Sequence, residues 1–405
     1  MSVYSGEAIK TKLLEPTTYN ENVSAEFRIT EPCLPNLRLI DVGAKNNQNV
    51  QYNKLIGAYG CLRSVLLYSG QMLIDGCANN AQFIAFKKYN HANSTNHNLK
   101  RLLARNQLGF KSGRTGLMTD TPTTNNQSGV DDARTTLAYI PVSEYCPILN
   151  NLNVLDPKVM MNLRLVLEFE PNRDAFLNVS NSTSHNGRRP RLIMDTLESG
   201  NYQSNPAVVQ WNAIEQDRYV CPVLDVAAVA TQNNSNKLNG FNSKLVGRML
   251  ICKNFQNDAN NSVAGAVTGF GRYASHAQQG EEIQVVVNGA QQLPRNGIDG
   301  SGNKMLSMLH DTWGECNTMP MGNTQGLSTV AKAVAQLQSY QGQQSYFGMF
   351  VNQRVKDLQI NHTRVGLIDN GGGVVPTNEA LLCSVFCEVS KSLVNKGGVV
   401  NTVYN

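Results

Sequence analysis

Cysteine and histidine are the residue types here with the widest chemical reach, since metal coordination, thiolate attack and proton transfer all run through them. The 405-residue sequence holds nine cysteines and six histidines. A zinc centre readable from sequence needs them grouped, as C-x-x-C pairs or as histidines one helical turn apart. Cys33, Cys61, Cys77, Cys146, Cys221, Cys252, Cys316, Cys383 and Cys387 are instead scattered and odd in number. They read as reduced, buried thiols, because a chain this long can build a core without disulfide staples. Cys383 and Cys387 would share one strand face as small hydrophobes. His91, His97, His185, His276, His310 and His362 fall mostly in expected loops, with no partner at i, i+4 and no cysteine at ligand spacing. His310-Asp311 is a fragment of an acid–base pair for which no nucleophile can be nominated.

Other chemistry is equally thin. There is no G-x-x-x-x-G-K-[ST] phosphate loop, no H-E-x-x-H zinc helix and no G-x-S-x-G elbow. Gly265, Gly269 and Gly271 lack the flanking strand and helix of a dinucleotide fingerprint, and Gly371-Gly372-Gly373 reads as a turn. The carboxylate pairs Glu168/Glu170 and Glu281/Glu282 carry no sign of a cleft, and adjacent strand residues point to opposite faces. Lys100, Arg101, Arg105, Lys111 and Arg114 read first as a solvated helix face and loop, second as phosphate contacts. Arg188, Arg189 and Arg191 read first as linker charge. Neither segment interleaves aromatic residues as single-strand binders do. Trp211 and Trp313 lie in or beside expected loops, as core residues or interface anchors. The expectation is no catalytic residue, no metal ligand set, no cofactor and no obligatory small-molecule ligand.

The regular elements carry more information than these residues. Val23, Ala25, Phe27 and Ile29 alternate with Ser24, Glu26 and Arg28. Leu163, Leu165, Leu167 and Phe169 alternate with Asn162, Arg164, Glu168 and Glu170. Both patterns mark strands with one dry face. Further strands are expected at 37–42, 61–68, 135–142, 191–195, 244–252, 282–287, 346–360 with a break, and 381–389. Asn395-Lys396-Gly397-Gly398 then turns the chain into a final strand, 399–404. Helices are few: 75–88, 98–107 and 327–337 carry apolar residues at helical spacing, and none alternates with strands as βαβ units do. Long polar segments at 45–53, 119–132, 178–189, 232–242, 256–280 and 289–304 are expected loops. The class is mainly β, with elaborate loops at the ends of sandwiches. Two similar halves, 1–175 and 211–405, are joined by 176–210, which holds Gly187-Arg188-Arg189-Pro190-Arg191 and Asn205-Pro206.

Charged residues make up 16% of the chain, against a usual level of about 25%. Asparagine, glutamine, serine and threonine cover the difference. A net charge of +5 and a pI near 8.6 give no strong electrostatic footprint for nucleic acid. No apolar stretch approaches the about 20 residues that cross a bilayer. Residues 1–7 lack the basic then apolar layout of a signal peptide, so synthesis and folding are expected inside a cell. A polar surface with few charges suits a body that packs many copies side by side, and it also suits a sugar-rich secreted protein.

Tyr52-Asn53-Lys54-Leu55-Ile56-Gly57-Ala58-Tyr59-Gly60-Cys61-Leu62-Arg63-Ser64-Val65, leading into Tyr68-Ser69-Gly70-Gln71 and a short helix, resembles the early strand and helix of capsid proteins from icosahedral double-stranded DNA viruses. Leu137-Ala138-Tyr139-Ile140-Pro141-Val142, Pro147-Ile148-Leu149 and Met161 to Glu170 are similar to the strands that close their first jelly roll. The family is the double jelly-roll major capsid proteins of virophages, polinton-like viruses and large algal or protist DNA viruses. The resemblance implies two consecutive eight-stranded jelly-roll β-sandwiches, 1–175 and 211–405, with long loops and a few short helices. It implies a structural protein and not an enzyme, self-assembling as homotrimeric capsomers that tile an icosahedral shell around a dsDNA genome. Penton and minor or cement capsid proteins would be its neighbours, with weak genome contact on the inner face. Its place would be the virion, assembled inside the host cell. The second half shows fewer than eight clear strands, so a single jelly-roll penton (vertex) protein with a large second domain stays open. A carbohydrate-binding or adhesive β-sandwich is the other alternative.

Overall fold

Leu163, Leu165 and Leu167 are buried while Arg164, Val166 and Glu168 are half-exposed, so the two-residue alternation of the sequence is that of a strand with one dry face. The computed structural model describes residues 8–45, 56–87, 138–171, 186–187, 189–198, 202–223, 231–255, 275, 281–293, 298–299, 302–314, 346–365, 380–396 and 399–405. Eight strands build the first half: β1 (Ile9–Leu14), β2 (Ser24–Arg28), β3 (Arg38–Val42), β4 (Leu62–Ser69), β5 (Met72–Asp75), β6 (Ala138–Pro141), β7 (Leu163–Phe169) and β8 (Arg191–Leu197). They form two antiparallel sheets, β1-β8-β3-β6 and β2-β7-β4-β5, with Thr18–Asn20 added outside β2, and Ala44–Lys45 pairs with Asn186–Gly187 in a separate two-stranded ribbon.

The second half repeats the plan with β9 (Val208–Cys221), β10 (Thr231–Lys237), β11 (Leu245–Phe255), β12 (Glu282–Val287), β13 (Ala290–Gln291), β14 (Phe347–Arg354), β15 (Leu358–Val365) and β16 (Leu381–Lys396). Its sheets run β9-β16-β11-β14 and β10-β15-β12-β13, and β17 (Val399–Tyr404) adds to β16. Counted within its own half, each set reads first-eighth-third-sixth and second-seventh-fourth-fifth. That is the winding of a jelly roll, two rolled Greek keys. The fold is therefore two consecutive eight-stranded jelly rolls, and the reading of the second half as something other than a jelly roll is set aside.

Each jelly roll has its own apolar core, and each core borrows from the other half. Phe27, Leu39, Leu67, Ile140, Leu165 and Leu192 fill the first, joined by Val209, Trp211 and Ala213 from β9 and Leu393 from β16. The second core takes Phe83 from the short helix α1 (Ala81–Ala85) and Phe86 just after it. Phe86 meets Tyr346 at 5.1 Å and Trp313 at 5.8 Å between ring centroids, and Phe83 meets Trp313 at 5.5 Å and Phe386 at 5.6 Å. Aromatic rings at these separations add to the area they bury. They tie the halves together through apolar contact.

Several expectations change. The helix expected over 75–88 shrinks to α1, because Asp75 stays in β5 and Gly76 turns the chain at φ +114, where any Cβ would run into the Val65 carbonyl. Thr231–Lys237, expected as part of a loop, is strand β10: its polar residues pair with β15 along their whole length, so backbone hydrogen bonds override composition. The expected loop at 289–304 contains β13 and the start of helix α2 (Gly302–Trp313). Leu309 and Trp313, one turn apart, press this helix onto β14, where Gly348 leaves room that a Cβ would close to 2.9 Å from both side chains. Trp211 lies on β9 and Trp313 in α2, both buried, and neither is in a loop. β8 falls inside the 176–210 stretch, yet it pairs with β1 and β3 as the strand between them. The break expected in 346–360 falls at Val355-Lys356-Asp357, and the final hairpin pairs Lys396 with Val399. The helices expected at 98–107 and 327–337, the basic stretch Lys100 to Arg114 and the loop at 119–132 lie outside the described residues. No helix among the described residues is long and apolar enough to cross a membrane.

Candidate functional site

The densest buried polar chemistry lies between the two sheets of the second jelly roll. In one sheet, antiparallel register sets Tyr219 of β9 opposite Cys383 of β16, and Cys383 opposite Lys253 of β11. Opposed residues share a face, so the three form a row across the sheet. Cys221, two residues along β9 from Tyr219, points the same way. The facing sheet contributes His362 and Arg364, alternate residues of β15 whose inward parity otherwise holds Leu358 and Ile360. Glu281, immediately before β12, completes the group. Lys253, Glu281, His362, Arg364, Cys221 and Cys383 are all 0% exposed.

The contacts are specific. Lys253 Nζ donates to Glu281 Oε2 at 2.7 Å, and the Lys253 amide donates to Ser275 Oγ at 3.0 Å. His362 Nε2 lies 2.6 Å from Glu281 Oε1, which requires the imidazole to donate from Nε2. Nδ1 then faces the Tyr219 hydroxyl at 2.9 Å and Cys383 Sγ at 3.9 Å. Arg364 donates to the Pro222 carbonyl at 2.8 Å and to that of Cys221 at 3.4 Å. Burial alone would raise the Glu281 carboxyl, but the Lys253 charge and the His362 hydrogen bond pull it down to about 2. Burial opposes a charge on His362, yet hydrogen bonds to Cys221 and Glu281 raise it to about 9. The Cys221 thiol is drawn down to about 5, first by its hydrogen bond with Cys383 and then, against burial, by His362. A buried lysine–carboxylate pair is costly unless its remaining hydrogen-bonding capacity is met. Here His362 meets it.

A thiolate beside an imidazole is a nucleophilic pair in other settings. This one is buried: Tyr219, Cys221, Lys253, Glu281, His362 and Cys383 are each no more than 5% exposed, with Pro222 exposed at the rim beside Arg364. What the arrangement can do is hold something small between two sulfurs and a nitrogen. Cys221 Sγ, His362 Nδ1 and Cys383 Sγ lie within 4.8 Å of one another.

The remaining residues singled out from sequence are dispersed. Glu281 is buried and its neighbour Glu282 exposed, while Glu168 on β7 is half-buried and Glu170 just after it is buried, both in the first jelly roll. His310 and Asp311 are exposed side chains 3.8 Å apart. Arg189 pairs with Glu15 and covers Tyr19, and Arg191 pairs with Asp41. Cys387 is buried on β16, away from the cluster. Spacing offered no ligand set because the cluster's members come from separate strands. The one local signal was parity: a histidine and an arginine stand on the dry side of β15.

The sequence matches no protein-family model and no curated protein. Solved structures do match. The chain is similar to VP54 of PBCV-1, as fitted into a reconstruction of the virophage Sputnik, at 10% identity and TM-score 0.56 over 98% of this chain and 97% of that one. It is similar to the mavirus major capsid protein at 10% identity and TM-score 0.54, over 97% and 90% of the two chains. The Faustovirus major capsid protein matches at 7% identity and TM-score 0.56, over 96% and 91%. At such identities the likeness is one of fold, and it runs through both halves of each chain. This protein therefore has the double jelly-roll fold of the major capsid proteins.

Proposed function

We propose that this chain is a structural capsid protein that assembles as homotrimeric capsomers tiling an icosahedral shell around a dsDNA genome, and that it performs no reaction. The observation that carries this reading is the double jelly roll matched across nearly the whole of both chains to major capsid proteins. On this reading the first unit ends at Leu197 and the second begins at Val208, with the cross-packed aromatic residues making them one rigid wall. The low charge has a physical use here. Amides and hydroxyls are buried against neighbouring copies with less desolvation cost than charges. Exposed apolar residues such as Ile9 and Leu13 on β1 and Phe350 on β14 offer further area to neighbouring copies. Penton and minor or cement capsid proteins would adjoin such capsomers, with weak genome contact on the inner face, and the virion would be the protein's place.

A permanent trimer interface would bury more than about 2,000 Å². Light scattering coupled to size exclusion should report three chains per particle, and negative-stain images should show a pseudo-hexagonal outline. A 44.4 kDa monomer at high concentration would sink the trimer, and a five-fold ring would move the protein to the vertex.

A further inference from the structure

We propose that Cys221, His362 and Cys383 bind one zinc ion, a structural link between the two sheets of the second jelly roll. Cys221 and Cys383 stand on β9 and β16 of one sheet, and His362 stands on β15 of the other. Their donor atoms lie within 4.8 Å of one another, with Cys383 Sγ 3.9 Å from His362 Nδ1. Tetrahedral zinc, with sulfur at about 2.3 Å and nitrogen at about 2.0 Å, keeps such ligands about 3.5–3.8 Å apart. Closing the site asks for shifts on the order of 1 Å or less.

A second observation points the same way. Histidines that bind metal through one ring nitrogen almost always donate the other N–H to a carboxylate or carbonyl, which sets the tautomer and aims the free nitrogen. His362 does this with Glu281 at 2.6 Å, and Lys253 holds the carboxylate from its far oxygen. Nδ1 is thereby directed at the two sulfurs. The charges also close: two thiolates balance Zn²⁺ while Lys253 balances Glu281. On binding, two Zn–S bonds and one Zn–N bond form, and the two protons held by Cys383 and by the Cys221–His362 pair, the one on Nδ1 included, leave to solvent. The Tyr219 hydroxyl lies 2.9 Å from Nδ1, so zinc binding would require this hydrogen bond to give way. Two thiolates and an imidazole favour zinc over the oxygen-seeking magnesium and calcium. This site would exist whether or not the chain builds a capsid.

The test uses the full chain purified without chelator. Elemental analysis should find about one zinc per chain, and cobalt(II) added to the stripped protein should give a thiolate-to-cobalt charge-transfer band with tetrahedral d–d absorption. Cys221→Ser, Cys383→Ser and His362→Asn should each lower zinc content about tenfold or more, whereas Cys387→Ala, on β16 but outside the cluster, should retain it. Should the buried variants fail to fold, the wild-type cobalt spectrum still decides. A folded wild-type chain that takes up neither zinc nor cobalt would overturn the proposal. So would a Cys221–Cys383 disulfide found by non-reducing mass spectrometry in place of the metal.

Discussion

Phe86 belongs by sequence to the first half and by packing to the core of the second, so truncating it should weaken a jelly roll it is not part of. The ring is fully buried, against Trp313 of α2 and Tyr346 beside β14. Removing about 150–200 Å² of apolar surface at about 25 cal/mol per Å² costs about 4–5 kcal/mol. Measured phenylalanine-to-alanine changes in cores fall at about 3–5 kcal/mol. For a unit of about 200 residues, each kcal/mol lowers the melting midpoint by about 2–4 °C. Phe86→Ala should therefore lower it by about 8–20 °C. Calorimetry gives the size, and hydrogen exchange gives the place: protection should fall in β11, β14 and α2. Phe27→Ala, equally buried in the first core, should cost a similar amount but act on β2, β4 and β7. If Phe86→Ala leaves exchange in β11, β14 and α2 unchanged and loosens only its own segment, the cross-locking of the halves is refuted.

Two carboxylates predict opposite responses to pH. Asp75 accepts from the Ile148 amide at 2.8 Å, but burial pushes its carboxyl from 3.8 up to about 6. The folded state then holds the proton more tightly than the unfolded chain, so stability falls as pH rises from about 4 to about 6 and is level above. That loss is on the order of 3 kcal/mol. Asp75→Asn, which keeps an acceptor, should flatten this limb and raise the urea midpoint at pH 7; an unchanged pH profile would count against it. Asp195 is the reverse case. Burial opposes its charge, but hydrogen bonds from Thr11 at 2.7 Å, Asn36 at 2.7 Å and Arg38 at 2.6 Å hold its carboxyl below the usual range. Its contribution is complete above the unfolded value near 4 and is lost as pH falls through the lower folded value. Asp195→Asn should make β1 exchange faster at pH 7 and remove that acid-sensitive step, seen as a smaller pH dependence of the urea midpoint below pH 4.

Strands with one dry face were legible because period-two alternation is a local property. β2 and β7 follow it closely, whereas β4 and β16 hold runs of consecutive buried residues and are marked by their apolar content instead. β10 escaped because Thr231 to Lys237 carries no apolar residue, and only its pairing with β15 makes it a strand. α2 was legible in principle: Met305, Met308, Leu309, Thr312 and Trp313 fall at i, i+3, i+4, i+7 and i+8, a helical stripe masked by the glycines and asparagine before it. The cysteine–histidine cluster was not legible in any spacing. Parity assigns Cys221, His362 and Cys383 to dry faces, but it does not say which faces meet.

Composition and alternation by themselves determined that this chain is mainly β, arranged in two halves, and polar through amides and hydroxyls in place of charge. Tertiary structure decided the winding of each half, the exchange of Trp211, Phe83 and Phe86 between cores, and the meeting of Cys221, Cys383 and His362. The reason is that a jelly roll pairs mostly strands distant in sequence. Local pattern tells each residue which side of its strand is dry, and only the closed sandwich tells it what lies across.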